Sequence, residues 1–214
     1  MERPVATAPV VPRRPPAALR AALLDGAELE FATHGFDAAS TRSIAERAGA
    51  HQPQINYHFS SKEQLWRDTV DRLFAELDGA LATGSPAGPG AVAVFRDVVE
   101  RFLRFSAARP ALNRVINHEA TVPSDRLDWL VETHLQPRFT QVAALWTDVR
   151  AAGAGASLAP EEVWAIITSF GALHFANAPM LARLGDGHAV TVTEQVDRTL
   201  RLLGLGAGGD PVGA

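Results

Sequence analysis

Cysteine is missing from the 214 residues, and lysine and tyrosine occur once each. Without cysteine there is no disulfide framework, no thiolate nucleophile and no sulfur-ligated zinc, which fits a reducing cytoplasm as the expected location. A surplus of positive charge is missing too. The formal net charge is -4 with a pI near 6.0, so bulk charge gives no pull toward nucleic acid and any DNA-binding face has to be local. Residues 1–65 carry seven Lys or Arg against seven Asp or Glu. No uninterrupted apolar run approaches the roughly 18 to 20 residues that cross a bilayer, so no membrane role is expected.

Catalytic and metal-binding patterns are equally scarce. There is no Glu-x-x-His pair for a di-iron bundle, no His-Glu-x-x-His for zinc and no phosphate-cradling glycine loop that ends in lysine. Gly155-Ala156-Ser157-Leu158-Ala159 approaches a nucleophile elbow but lacks the last glycine and a preceding strand. No enzyme, cofactor or metal site is expected, and a helical-bundle enzyme stays only as an alternative.

What the chain does have is 47% hydrophobic residues, enough for a substantial core, in a helical rhythm. Residues 1–15 hold Pro4, Pro9, Pro12 and Pro15, which break any secretory apolar run, and read as a flexible arm. Arg13-Arg14 meets Pro15-Pro16 at once, which argues against twin-arginine export. From Pro16 to Thr33, Leu19, Leu23, Ala27 and Phe31 recur at helical spacing, with Gly35 just past the end. Ser40 caps a short second helix, Thr41 to Ala48, stopped by Gly49. Gln52 to His58 forms a third, with Pro53 tolerated in its first turn and Ile55 on its buried face. Ser60-Ser61-Lys62-Glu63 matches a capping box in which Ser60 pairs with Glu63 and opens a longer fourth helix. The breakers from Gly84 to Gly90 end it.

The predicted fold is therefore all-α: a three-helix DNA-binding domain at 16–62, a larger helical domain at 63–204 and a flexible tail at 205–214. Later helices are expected at Ala91 to Ala108, Pro110 to Glu119, Asp125 to Ala152, Pro160 to Leu184 and Val192 to Leu203. Pro137 and Pro179 should kink or break two of them.

Two short helices joined by a glycine-containing turn form a helix-turn-helix, whose second helix can enter the major groove of double-stranded DNA. The exposed edge of that helix offers Gln52, Gln54, Asn56, Tyr57 and His58, with Lys62 following. Amide side chains pair bidentately with adenine, and Arg42 can do so with guanine. Thr41, Lys62 and the amides at helix starts suit phosphates.

Phe31-x-x-x-Gly35-Phe36, Ile44-Ala45-x-x-Ala48-Gly49 and Tyr57-His58-Phe59-x-x-Lys62-Glu63-x-Leu65 together resemble the signature of TetR-family transcriptional regulators, over about residues 17 to 66. The resemblance implies that Arg42, Gln52, Gln54 and Asn56 face bases while Thr41, Tyr57, His58 and Lys62 touch phosphates. By similarity Pro53 meets a thymine methyl. His51 stands where the family usually has a capping Ser, and Asn56 where Tyr is common, which weakens the cap and shortens the reach.

Tight binding needs two such helices about 34 to 36 Å apart, hence a homodimer on a palindromic operator. The most apolar late helix, with Trp164, Ile167, Phe170, Gly171 and His174, spreads its apolar residues over more than one face. By resemblance it pairs with the last helix, through Val196 and Leu200, as the dimer interface; purely intramolecular packing is the competing reading. Phe102, Phe105, His118, Trp129, Thr133, Trp146, His174 and Asn177 are candidate walls of a site for a small apolar or amphipathic effector whose binding releases the operator. A DNA-binding regulator with no small-molecule ligand remains open beside this sensor.

Overall fold

The structure, a computed structural model, describes residues 15–83, 88–184 and 190–206. The expected arm at 1–15 thus lies outside the described residues except for Pro15. Among the described residues the regular elements are all helical. In chain order they are α1 (Pro16–Ala38), α2 (Thr41–Arg47), α3 (Gln52–His58), α4 (Lys62–Ala82), α5 (Ala91–Ala108), α6 (Pro110–Glu119), α7 (Asp125–Leu130), α8 (Gln136–Ala151), α9 (Pro160–Ala165), α10 (Leu173–Ala176), α11 (Ala178–Leu184) and α12 (Val192–Leu202). Wide π-helical turns at Val131–Leu135 and Ile166–Ala172 join α7 to α8 and α9 to α10.

The proline at 137 does not break its helix. It cannot supply an amide proton to the preceding turn, and the chain widens there instead. Arg138 Nη1 donates to the His134 carbonyl at 2.8 Å within this wide turn. Near Pro179 the path does break: the Pro160–Ala176 stretch and Ala178–Leu184 meet at 77°. By length and composition that bent pair is apolar enough to cross a membrane, while among the described residues no single helix is. Its Val163, Ile167 and Ala172 are buried in the chain's own interior.

Apolar residues separate into two cores. The first joins Leu23, Phe31, Ile44, Ile55, Phe59 and Trp66 with Leu112, Val115 and Leu130 from later helices. The expected boundary after residue 62 is thus not a packing boundary, because α4 shares one core with the helix-turn-helix and with α6. The second core gathers Phe95, Leu103, Trp146, Ile167, Leu200 and Leu205. Leu205 was expected in a flexible tail; instead it is buried, its N–H bonds the Leu200 carbonyl at 2.8 Å, and its own carbonyl accepts from Arg96.

Local caps explain where the early helices begin. Ser40 Oγ accepts from the Ser43 N–H and starts α2. The start of α4 corrects the expected capping box by one residue: Ser61 Oγ accepts from the Gln64 N–H at 3.0 Å, and Glu63 is held by Arg67. Gly35 sits inside α1 at φ 70, and a side chain there would meet the His118 ring at 3.2 Å. The chain can therefore turn from α1 toward α2 while α6 packs against the bend.

The second core contains a comparable contact. Gly155 has φ 77, and a Cβ there would lie 2.5 Å from Trp146 Cη2. Gly155→Ala combines that overlap with a left-handed backbone, so a loss of about 1–3 kcal/mol is expected. Thermal denaturation followed by circular dichroism would measure it; an unchanged midpoint would contradict the packing described.

Candidate nucleic-acid interface and effector cavity

The α2–α3 unit buries one side and offers the other. Ile44, Ala45, Ile55 and Phe59 are buried, whereas Arg42, Gln52, Pro53, Asn56 and Tyr57 are exposed, Tyr57 to 80%. The short helix α3 therefore keeps its polar edge outward because its few apolar side chains anchor it from behind. Gln52 Nε2 donates to Thr41 Oγ1 at 3.2 Å, which links the two helix starts. Arg42 Nε reaches Glu46 Oε1 at 2.9 Å, an exposed pair worth little and readily exchanged.

Two of the expected contact residues have structural work as well. His51 gives no side-chain cap to α3, in line with the weak cap expected there; instead its N–H donates to Gln54 Oε1 at 2.8 Å. Gln54 is half-buried and its oxygen is committed to that bond. Lys62 is also half-buried: its Nζ donates to the Asp37 carbonyl at 3.2 Å and lies 4.8 Å from the Phe36 ring centre. Desolvation pulls its pKa down, Asp37 opposes that, and Arg126 adds to it. Lys62 thus ties the start of α4 to the end of α1. His58 is half-buried, edge to face with Tyr57.

Glu30, which the sequence did not single out, organises the same unit from below. It is 3% exposed, accepts from the Ser40 N–H at 3.0 Å and the Ser43 hydroxyl at 2.9 Å, and faces Arg47 at 3.6 Å. Burial works to raise its pKa, but the two hydrogen bonds, His34 and Arg47 outweigh it, and the net shift is downward. An acidic residue beside Phe31 on the apolar side of α1 was the available clue.

A cavity of two adjoining lobes lies in the larger part of the chain. Leu77, Phe102, Arg138, Trp164 and Thr168 line both lobes, of about 310 and 190 Å³. Of the eight expected wall residues, Phe102 is there. Phe105 instead belongs to the first core. Trp146 is buried in the second, its Nε1 donating to the Leu158 carbonyl. His118 is exposed against Gly35, and Thr133 is exposed on the first π-helical turn. Trp129 packs on Trp66 at 5.5 Å. His174 and Asn177 are half-buried outside the lining, and the Asn177 carbonyl accepts from the Met180 and Leu181 N–H groups after the helix break. The sequence reasoning found aromatics but could not tell which core each would join.

Several residues expected at a dimer interface are likewise used within the chain. Ile167, Val196 and Leu200 are buried in the second core, and Gly171 is buried against Leu103. Trp164 is a cavity wall, while Phe170 is exposed.

A chain of aromatic and ionic contacts runs from cavity to helix-turn-helix. Arg138, clamped by Asp78, lies 4.5 Å from the Phe74 ring centre. Phe74 stacks on His134 at 4.2 Å, His134 Nε2 lies 2.9 Å from Asp71 Oδ1, and Trp129 connects His134 to Trp66. Trp66 meets Phe36 edge-on beside Lys62. Desolvation lowers the His134 pKa, against the pull of Asp71.

A three-helix unit with an outward amide-rich edge, joined through α4 to a larger helical body, has the architecture of a helix-turn-helix protein. Residues 23–69 match the family model described as bacterial regulatory proteins, tetR family. Consistent with this, the chain is 32% identical over 124 residues to the HTH-type transcriptional repressor AcnR of Corynebacterium diphtheriae, covering 57% of this chain and 61% of that protein. It is 38% identical over 82 residues to the HTH-type transcriptional repressor KstR2 of Mycolicibacterium smegmatis, covering 36% and 40%. These matches thus span about two-fifths to three-fifths of the relatives' lengths. A TetR-like transcriptional regulator from Rhodococcus shares the fold over 89% of this chain and 96% of its own, with a TM-score of 0.68 at 19% identity. The tetR-family match thus covers the helix-turn-helix segment at residues 23–69, and the fold is shared over most of the chain.

Proposed function

We propose that this protein is a transcriptional repressor that binds a palindromic operator as a homodimer and releases it when a small apolar or amphipathic effector occupies the two-lobed cavity. The observation that carries the DNA-binding part is the exposed edge of α3 with Arg42 beside it, held outward by Ile55 and Phe59. In this reading Arg42, Gln52, Asn56 and the remaining amide nitrogen of Gln54 read bases, and Pro53 meets a thymine methyl. Thr41, Tyr57, His58 and Lys62 stay near phosphates, and Lys62 acts chiefly by fixing α4 to α1. The repressor names of the partial relatives favour repression over activation.

Arg42→Ala and Gln52→Ala each remove a candidate base contact from an exposed position. Each is expected to weaken operator binding by about 1–3 kcal/mol per site, with the melting temperature nearly unchanged. Footprinting on the DNA flanking its own gene would supply the operator, and gel-shift titration the affinities. Unchanged affinity in both variants would refute the assignment. A homodimer is expected in sedimentation, with Phe170 the one proposed interface residue that stands exposed.

Operator release is a population shift: the effector must prefer the released state by on the order of 5 kcal/mol to take occupancy from nearly full to nearly empty. The contacts from Arg138 through His134 and Trp66 to Phe36 support α4 as the lever.

A further inference from the structure

The two lobes of the cavity differ in chemistry. The larger adds Asn113, Asn117 and Ser169 to the shared walls, whereas the smaller adds mainly aliphatic residues, among them Val98, Val142 and Leu145. Among the described residues neither lining contains an Asp or Glu, and the one lining cation is Arg138. Arg138 Nη2 is clamped by both Asp78 oxygens at 2.6 and 2.7 Å, and Nη1 by the His134 carbonyl, but Nε has no hydrogen-bond partner. Asn113 is 8% exposed, and its Nδ2 has no partner either. Both residues line the larger lobe, and these two donors, covered beneath its surface, lack an acceptor although buried polar groups are nearly always satisfied.

Resting on the effector reading above, we infer that the cavity takes an elongated amphipathic molecule with an oxygen-acceptor head, carbonyl or carboxylate. The head is met by Asn113 and Arg138 in the larger lobe, and the apolar chain passes Phe102 into the smaller one. A cationic head would find no carboxylate in the lining. The amide of Asn113 can turn either of its ends toward the head, so its donor is available without moving the backbone.

The test uses the full chain with three probes of matched length: decanoate, 2-decanone and decylammonium, each below its micelle concentration, by calorimetric titration and thermal shift. Decanoate or 2-decanone should bind one per chain and raise the melting temperature, with decylammonium at least tenfold weaker. Tighter binding of decanoate than of 2-decanone assigns a carboxylate head, and comparable binding a carbonyl. Asn113→Leu should weaken the bound probe tenfold or more while leaving the ligand-free protein at least as heat-stable, because an apolar group of similar size replaces an unpaired amide. A merely structural Asn113 would lower the melting temperature instead. Val98→Trp, which fills the smaller lobe, should weaken decanoate and spare hexanoate.

Equal binding of decylammonium, unchanged probe affinity in Asn113→Leu, or no binding by any probe would overturn the inference. Decanoate that binds without loosening operator DNA would uphold the ligand class and sink the release reading. Decylammonium alone binding and releasing the operator would do the reverse.

Discussion

Trp66→Ala is expected to be the most damaging single substitution, lowering stability by about 3–5 kcal/mol. Trp66 is 1% exposed and meets Phe36 on one side and Trp129 on the other, so its removal leaves a cavity that neither rigid neighbour can fill. At roughly 2–4 °C per kcal/mol for a chain of this size, the melting temperature should fall by about 10 °C. The effect extends beyond stability because Trp66 stands where α1, α4 and α7 converge. Operator affinity should fall even at temperatures where the variant is folded, and the effect of any bound effector on DNA affinity should shrink. Trp66→Phe, which retains most of the apolar volume, should recover much of the stability. Chemical denaturation with a two-state fit would supply the energies. A loss below about 1 kcal/mol for the alanine variant would show that the convergence is not tightly packed.

The second large effect concerns Glu30. Glu30→Ala strips the buried acceptor from the Ser40 N–H and the Ser43 hydroxyl and leaves Arg47 facing an empty site. Breaking a buried charged arrangement by removing one partner costs about 3–5 kcal/mol. The damage should concentrate in α2 and α3, since Ser40 is the cap from which α2 starts. Glu30→Gln, which keeps an acceptor and the shape, should cost less. Hydrogen exchange would check this: amides of residues 41–58 should lose protection more than those of the second core.

The same residue fixes the sign of an acid effect. Its folded pKa is depressed below the ordinary 4.5, so its contribution is fully present above the unfolded value and is lost as pH falls through the folded one. His134, whose folded pKa is lowered from 6.5, acts in the same direction but earlier: its neutral buried form becomes a liability once the unfolded chain begins to protonate below about pH 6.5. Stability should therefore decline in two stages on acidification, with His134→Gln removing the first and Glu30→Gln the second. Denaturation midpoints measured between pH 7.5 and 3.5 would reveal them. A flat profile down to pH 5 in the unaltered protein would contradict the burial of His134.

The sequence by itself determined the helix-turn-helix. In short helices every cap and every apolar position is local, so Ser40, Gly49, Pro53 and the Ile44, Ile55 and Phe59 spacing were enough to place helices at Thr41–Ala48, one residue longer than the Thr41–Arg47 found, and Gln52–His58, and to say which edge faces outward. Helix existence in the larger part was legible for the same reason, from proline starts at Pro110 and Pro160 and from apolar periodicity. Only the tertiary structure decided where the long-range partners lie. Phe105, Trp129 and Trp146 look alike in sequence, yet they enter packed cores while Phe102 and Trp164 border a cavity. Asn113 and Asn117, four apart beside Leu112 and Ile116, carried a clue to a polar spot on an apolar face, but its meaning depends on Arg138 arriving from another helix. Periodicity reports that a side chain is turned inward; what it meets there is set by which helices cross, and that depends on the whole chain's packing.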